Sequence, residues 1–155
     1  MKYEVSISKN FSSGDLDYLF TDSDMARIQN NMAIPLADII FNNFGYSGQD
    51  RPVEWPALSK SYAKSYHGGD QTPTLILSGD LQSATKIDPS NGEYARVYND
   101  NEYAADHQWG IPGKLHARPF FPLYGDENDA QLTPFTESEI MSAANMEIEA
   151  ILAGK

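Results

Sequence analysis

The chain has 155 residues, and 11 Lys+Arg against 22 Asp+Glu give a formal net charge of 11 − 22 = −11. That length fits one ordinary domain, and 41% hydrophobic residues are enough to build a core, which excludes wholesale disorder. The absence of cysteine excludes a disulfide framework, a thiolate nucleophile and a Cys-ligated zinc site, and a pI near 4.5 argues against a phosphate-neutralising or membrane-docking protein.

No apolar run approaches the roughly 20 residues of a membrane span. The opening Met-Lys-Tyr-Glu-Val-Ser-Ile lacks the apolar stretch of a signal peptide, so the cytoplasm of the producing cell is the default location. Tyr3, Val5 and Ile7 alternate with polar residues, which predicts a half-buried strand. Residues 11–24 mix Ser, Gly and Asp with apolar residues and read as a loop or short helix. Met25, Ile28, Met32, Leu36, Ile39 and Ile40 then form one helical stripe. Asp22 or Ser23 is the expected cap, Gly45 the expected stop, and Pro35 is expected to kink or split the helix near Ile34.

Gly45 to Pro56 reads as a loop, Ser59 to Tyr66 as a short helix, and His67-Gly68-Gly69-Asp70 as its break. Gln82–Asp88 and Glu93–Asn99 read as a hairpin around Pro89-Ser90-Asn91-Gly92, because Asn-Gly tolerates positive φ. In its second strand Ala95 and Val97 share one face, and Tyr94, Arg96 and Tyr98 the other. Glu102–Trp109 reads as a short helix, and Ala117–Leu123 as a last strand limited by Pro119. Thr136-Glu137-Ser138-Glu139 reads as a capping box, with Phe135 and Ile140 as a hydrophobic staple. Ile140, Ala144, Ile148, Ile151 and Leu152 supply the stripe of the last helix. The expected architecture is a single α+β domain over 1–155. It has an antiparallel sheet of about four strands, packed by a kinked N-terminal helix and a C-terminal helix.

Motifs for chemistry are sparse. His67, His107 and His116 show no metal-ligand spacing, and Asp106-His107 is a weak acid–base candidate because adjacent residues rarely face each other. His67-Gly68-Gly69 would need a Gly-x-Ser-x-Gly elbow to act as an oxyanion loop, and there is none. No nucleotide-binding glycine motif is present. Asp126-Glu127-Asn128-Asp129 lacks the spacing of a calcium loop and reads as a solvated turn. No catalytic, cofactor or metal residue is expected.

Four segments carry a more specific signal. Trp55-Pro56-Ala57-Leu58-Ser59-Lys60-Ser61-Tyr62 comes first, and Leu75-Ile76-Leu77-Ser78-Gly79-Asp80-Leu81-Gln82-Ser83 follows. Tyr103-Ala104-Ala105-Asp106-His107-Gln108-Trp109-Gly110 is third, and Ile111-Pro112 with Ala117-Arg118-Pro119-Phe120-Phe121 is last. In this order they resemble the motifs of the phage virion morphogenesis family, the tail completion proteins, over about half the chain. Ser78 stands where Thr is usual and Trp109 where Phe is usual. Residues 113–116 interrupt the last motif, the 67–73 linker is short, and the acidic balance is atypical.

The resemblance implies a non-enzymatic virion protein of prophage type, acting in tail completion or as a head–tail connector. It also implies a homo-oligomeric ring whose partners are tail tube or connector proteins, with no direct nucleic-acid or membrane binding and no cofactor. Its location would be the virion, and the host cytoplasm during assembly. The motif residues Trp55, Leu58, Ser59, Tyr62, Gly79, Leu81, Tyr103, His107, Gln108, Trp109, Gly110, Arg118, Pro119 and Phe120 would then serve structure or interface. Trp55, Tyr62, Trp109 and Phe120 would fill the core or a seam. Arg118 would hold a carbonyl or carboxylate, and His107 and Gln108 would tie loops together. An edge strand of the hairpin or the Gly45–Pro56 loop could supply the contact between copies. Seven of the 22 acidic residues fall in 126–155 against Lys155 alone, so that end is expected to face solvent, a lumen or a basic partner. The alternatives are a bacterial binding module for a small ligand or protein, and a metal-dependent hydrolase using His107.

Overall fold

The computed structural model describes residues 3–8, 19–45, 48–71 and 75–155, with backbone alone for 3–8. Strand β1 (Tyr3–Ser8) precedes helix α1 (Asp22–Asn43), α2 (Lys60–Tyr66) and the single turn α3 (Asp80–Ser83). Strands β2 (Thr85–Asp88) and β3 (Tyr94–Asn99), helix α4 (Ala104–Trp109), strands β4 (Leu123–Tyr124) and β5 (Gln131–Leu132), and α5 (Pro134–Ala153) complete the order. This is an α+β arrangement, but the strands do not form one four-stranded sheet. They split into an antiparallel β1-β3-β2 sheet and a separate β4-β5 ribbon.

The hairpin forms as its Asn-Gly turn requires, with Thr85 opposite Asn99 and Asp88 opposite Arg96. Its first arm is shorter than expected, because Asp80–Ser83 coil into α3. Ala95, Val97 and Asn99 are buried along β3 and their neighbours are not, so the period of two holds there. β1 covers the far edge of β3. Of the hairpin's two strands, β2 alone is therefore an edge.

α1 packs across β3 and against α5. Its apolar stripe is buried at Met25, Ile28, Leu36, Ile39 and Ile40, and the stripe also buries Gln29, Ala33 and Asn43. Pro35 lies inside an uninterrupted helix. The missing N–H deprives one carbonyl of its partner, and the packing on both sides of the proline keeps the helix in one piece. The cap is Thr21, not Asp22 or Ser23: its hydroxyl accepts from the Asp24 amide, and Asp24 accepts from the Thr21 amide. This hydrogen bond from the backbone holds the Asp24 carboxyl below its ordinary range. Residues 9–18, most of the expected N-terminal loop, lie outside the described residues.

The last helix starts one turn earlier than its sequence suggests. Thr133 is the cap and Pro134 takes the first helical position, where its missing donor costs nothing. Thr136 is thereby freed from capping, and its buried hydroxyl donates to Asp50. With Thr133 as the cap, Phe135 falls inside the helix rather than ahead of it, where a staple would sit; it is exposed, as is Leu152 at the far end of the stripe. Met25 and Ile28 cluster with Ala144 and Ile151, so α1 and α5 run antiparallel. Glu147, poorly placed for its own helix dipole, meets Arg27 and Asn31 of α1. The main core joins Leu36, Ile40 and Phe44 to Trp55, Val97, Phe120, Phe121 and Ile140. Among the described residues no helix is long and apolar enough to cross a membrane.

Candidate functional site

The site is organised by α4 and by the segment after it. Successive residues of a helix diverge by about 100°, so His107 and Gln108 serve different sides of α4. Gln108 is 1% exposed. Its Oε1 accepts from the Phe120 and Phe121 amides at 3.1 and 3.0 Å, and its Nε2 donates to the Phe121 carbonyl at 3.2 Å. The Trp55 indole donates to the Pro119 carbonyl at 3.0 Å, and Asn43 donates to the Phe120 carbonyl at 2.9 Å. The Arg118 amide donates to the His107 carbonyl at 2.7 Å.

These bonds explain why residues 117–122 are not the strand expected there. Pro119 and Pro122 lack the donors of a ladder, so the buried main chain is satisfied by side chains from other elements. Gly110 makes the return possible. Its φ is +76°, and a Cβ there would sit 2.7 Å from the Ala117 nitrogen and 2.8 Å from the Leu115 oxygen.

The same hub reaches α1 and α5 through residues that pattern reading did not single out. Asn43 Oδ1 accepts from the Gln49 and Asp50 amides at 2.9 and 2.8 Å. Arg51 Nε donates to the Asn43 carbonyl at 2.8 Å, and the guanidinium lies 3.8 Å over the Trp55 ring. Asp50 accepts from both Thr133 and Thr136 at the start of α5. The Asp-Arg pair in a Gly-rich loop was the available signal, but nothing in its spacing names Asn43 as the partner.

The His107 side differs. Tyr62, His107, Lys114, His116 and Arg118 line a cleft of about 490 Å³ beneath Leu58 and Leu75. A second cleft of about 330 Å³ shares Tyr62, Leu75 and His107 and adds His67, Asp80 and Tyr103. His107 Nδ1 is buried without a hydrogen-bond partner among the described residues. Burial, and secondarily the Arg118 charge, pull its pKa below the ordinary 6.5, while Asp106 opposes them weakly. Arg118 is 7% exposed, and its Nε donates to the Pro56 carbonyl at 3.2 Å. Burial lowers its pKa as well.

Trp55, Leu58, Pro119 and Phe120 are buried, and Leu81 and Trp109 are partly buried against the core. Ser59 caps α2, accepting from the Tyr62 amide. Gly79 precedes α3 with φ +86°. Tyr62 and Tyr103 are exposed and do not fill the core; Tyr62 stacks on Tyr66 with centroids 4.8 Å apart. His67 closes α2, and the amides of His67 and Gly69 both go to the Ala63 carbonyl. Asp126 Oδ1 is used by the Asn128 and Asp129 amides, which closes that turn on itself. Among the described residues no three His, Asp or Glu converge as metal ligands. The chain matches no family model, no curated protein and no solved structure.

Proposed function

We propose that the chain is a non-catalytic assembly protein of a phage virion, acting in tail completion or head–tail joining as a ring of identical copies. The observation that carries this reading is the convergence of its motifs. Trp55, Gln108 and Pro119–Phe121, from three of the four resembling segments, meet in one set of main-chain hydrogen bonds. Residues used in this way hold a shape, which supports a structural role for the motifs. The edge strand β2, with Ile87 exposed, and the loop ending at Pro56 are surfaces available to a neighbour. Partners would be tail tube or connector proteins, and the location the virion.

Light scattering on the purified protein, alone and mixed with tail tube or connector protein, is the test. A closed oligomer, or a gain in mass with a partner, is expected. A strict monomer in both settings sinks the reading. The cleft beside His107 favours one second reading, a binding module for a small ligand, which predicts that monomer and a saturable ligand.

A further inference from the structure

The chain carries twice as many carboxylates as cations, yet among the described residues no carboxylate lines the 490 Å³ cleft that holds Lys114, His116, Arg118 and His107. Arg118 is nine-tenths buried there and forms no ion pair among the described residues; of its five side-chain N–H donors, Nε is spent on Pro56. Its two terminal nitrogens are not closed off from solvent, so they remain available to a carboxylate that enters the cleft. Among the described residues the adjoining His107 Nδ1 is buried without a partner, and Lys114 stands exposed at the rim with no ion pair. Arg118 and Lys114 therefore bring two positive charges to one cleft. They fit a carboxylate.

The matching group lies on the same chain. Between β4 and β5 the turn 125–130 is exposed throughout and carries Asp126, Glu127 and Asp129. None of the three pairs with a cation among the described residues. In this monomer the turn does not line the cleft. We propose that the cleft receives the acidic β4–β5 turn of a second copy, so that Arg118 and Lys114 of one subunit bind the carboxylates of the next. This deepens the assembly reading and rests on it. Cleft and turn share no residue, so the contact is head-to-tail, the type from which rings are built. It also gives a destination to the negative charge gathered at the C-terminal end.

Lys114 and Glu127 are both exposed, so charge reversal at either leaves the fold intact, checked by circular dichroism. Lys114→Glu and Glu127→Lys should each weaken self-association roughly tenfold or more, and the double variant should restore it, read as mass by sedimentation. If wild type assembles and both single variants keep its mass, the cleft contact is wrong and the assembly reading survives. Single variants that dissociate without rescue in the double variant also overturn the pairing. So does an assembled wild type that binds one inorganic phosphate per chain, since the cleft would then be open. A wild type that is monomeric, alone and with partner proteins, removes the assembly reading itself.

Discussion

On one side of α4 the Gln108 amide is buried and accepts two main-chain hydrogen bonds while donating a third. One residue earlier, on the other side, the His107 ring lines a cleft, its Nδ1 without a partner among the described residues, and beside it Arg118 forms no ion pair among them. The two surroundings differ in what water exclusion has cost. Around Gln108 each buried main-chain polar group of the 119–121 segment has an internal partner, so that side has nothing left to gain from a further hydrogen bond. Around His107 and Arg118 charge and hydrogen-bonding capacity are left without internal partners among the described residues, which is where an added partner gains most. Changes on the first side should therefore act on folding, and changes on the second on association.

The largest effect is expected from Gln108→Leu. It strands the Phe120 and Phe121 amides in the core, while the Phe121 carbonyl keeps the Leu123 amide, and should cost about 4 kcal/mol, read as a lower urea midpoint. A loss under about 1 kcal/mol would mean that water replaces the amide, and the contrast between the two sides would fail. Gly110→Ala comes next, at about 3 kcal/mol, because a Cβ overlaps the 115–117 backbone at a positive φ. Thermal melts that coincide with wild type would show that the loop yields.

A smaller effect concerns pH. In the folded state burial pulls the His107 pKa below 6.5, whereas the unfolded chain takes up its proton at the ordinary value. The unfolded state thus binds more protons as pH falls below 6.5, and stability of the dilute monomer should decline there. His107→Asn should flatten that decline between about pH 7.5 and 5.5; an unchanged slope would assign it to other groups. Smallest of all, Lys114→Glu should leave monomer stability within about 0.5 kcal/mol while it reduces association. A large loss of stability from this exposed residue would merge the two sides into one.

Local chemistry carried much of the fold. The Asn-Gly turn, the Ala95/Val97 alternation and the apolar stripe of α1 appear where their periods put them. The departures share a cause. Pro35 does not divide α1, and Pro119 and Pro122 prevent a strand at 117–122, because in each case packing or a distant side chain decides what becomes of an unpaired backbone group. Thr136 is a plausible cap in sequence, and Thr133 is the one used. The choice depends on Asp50, more than 80 residues away, which takes the Thr136 hydroxyl. In the site, Gln108 and Arg118 were legible as groups that hold loops, whereas Asn43 was not, since a polar residue ending an amphipathic helix gives no sign of what it will meet.

By itself the sequence determined the α+β class, the helix stripes, the hairpin, and the gathering of seven carboxylates after residue 125. These follow from interactions over a few residues: side-chain period, turn conformation and composition. The tertiary structure alone decided that the strands divide between two sheets and that Gln108 saturates one side of α4. It also decided that Arg118 reaches the cleft without an ion pair among the described residues. Those outcomes depend on which backbone groups lose water and which distant side chain arrives to replace it, and sequence spacing does not encode that distance.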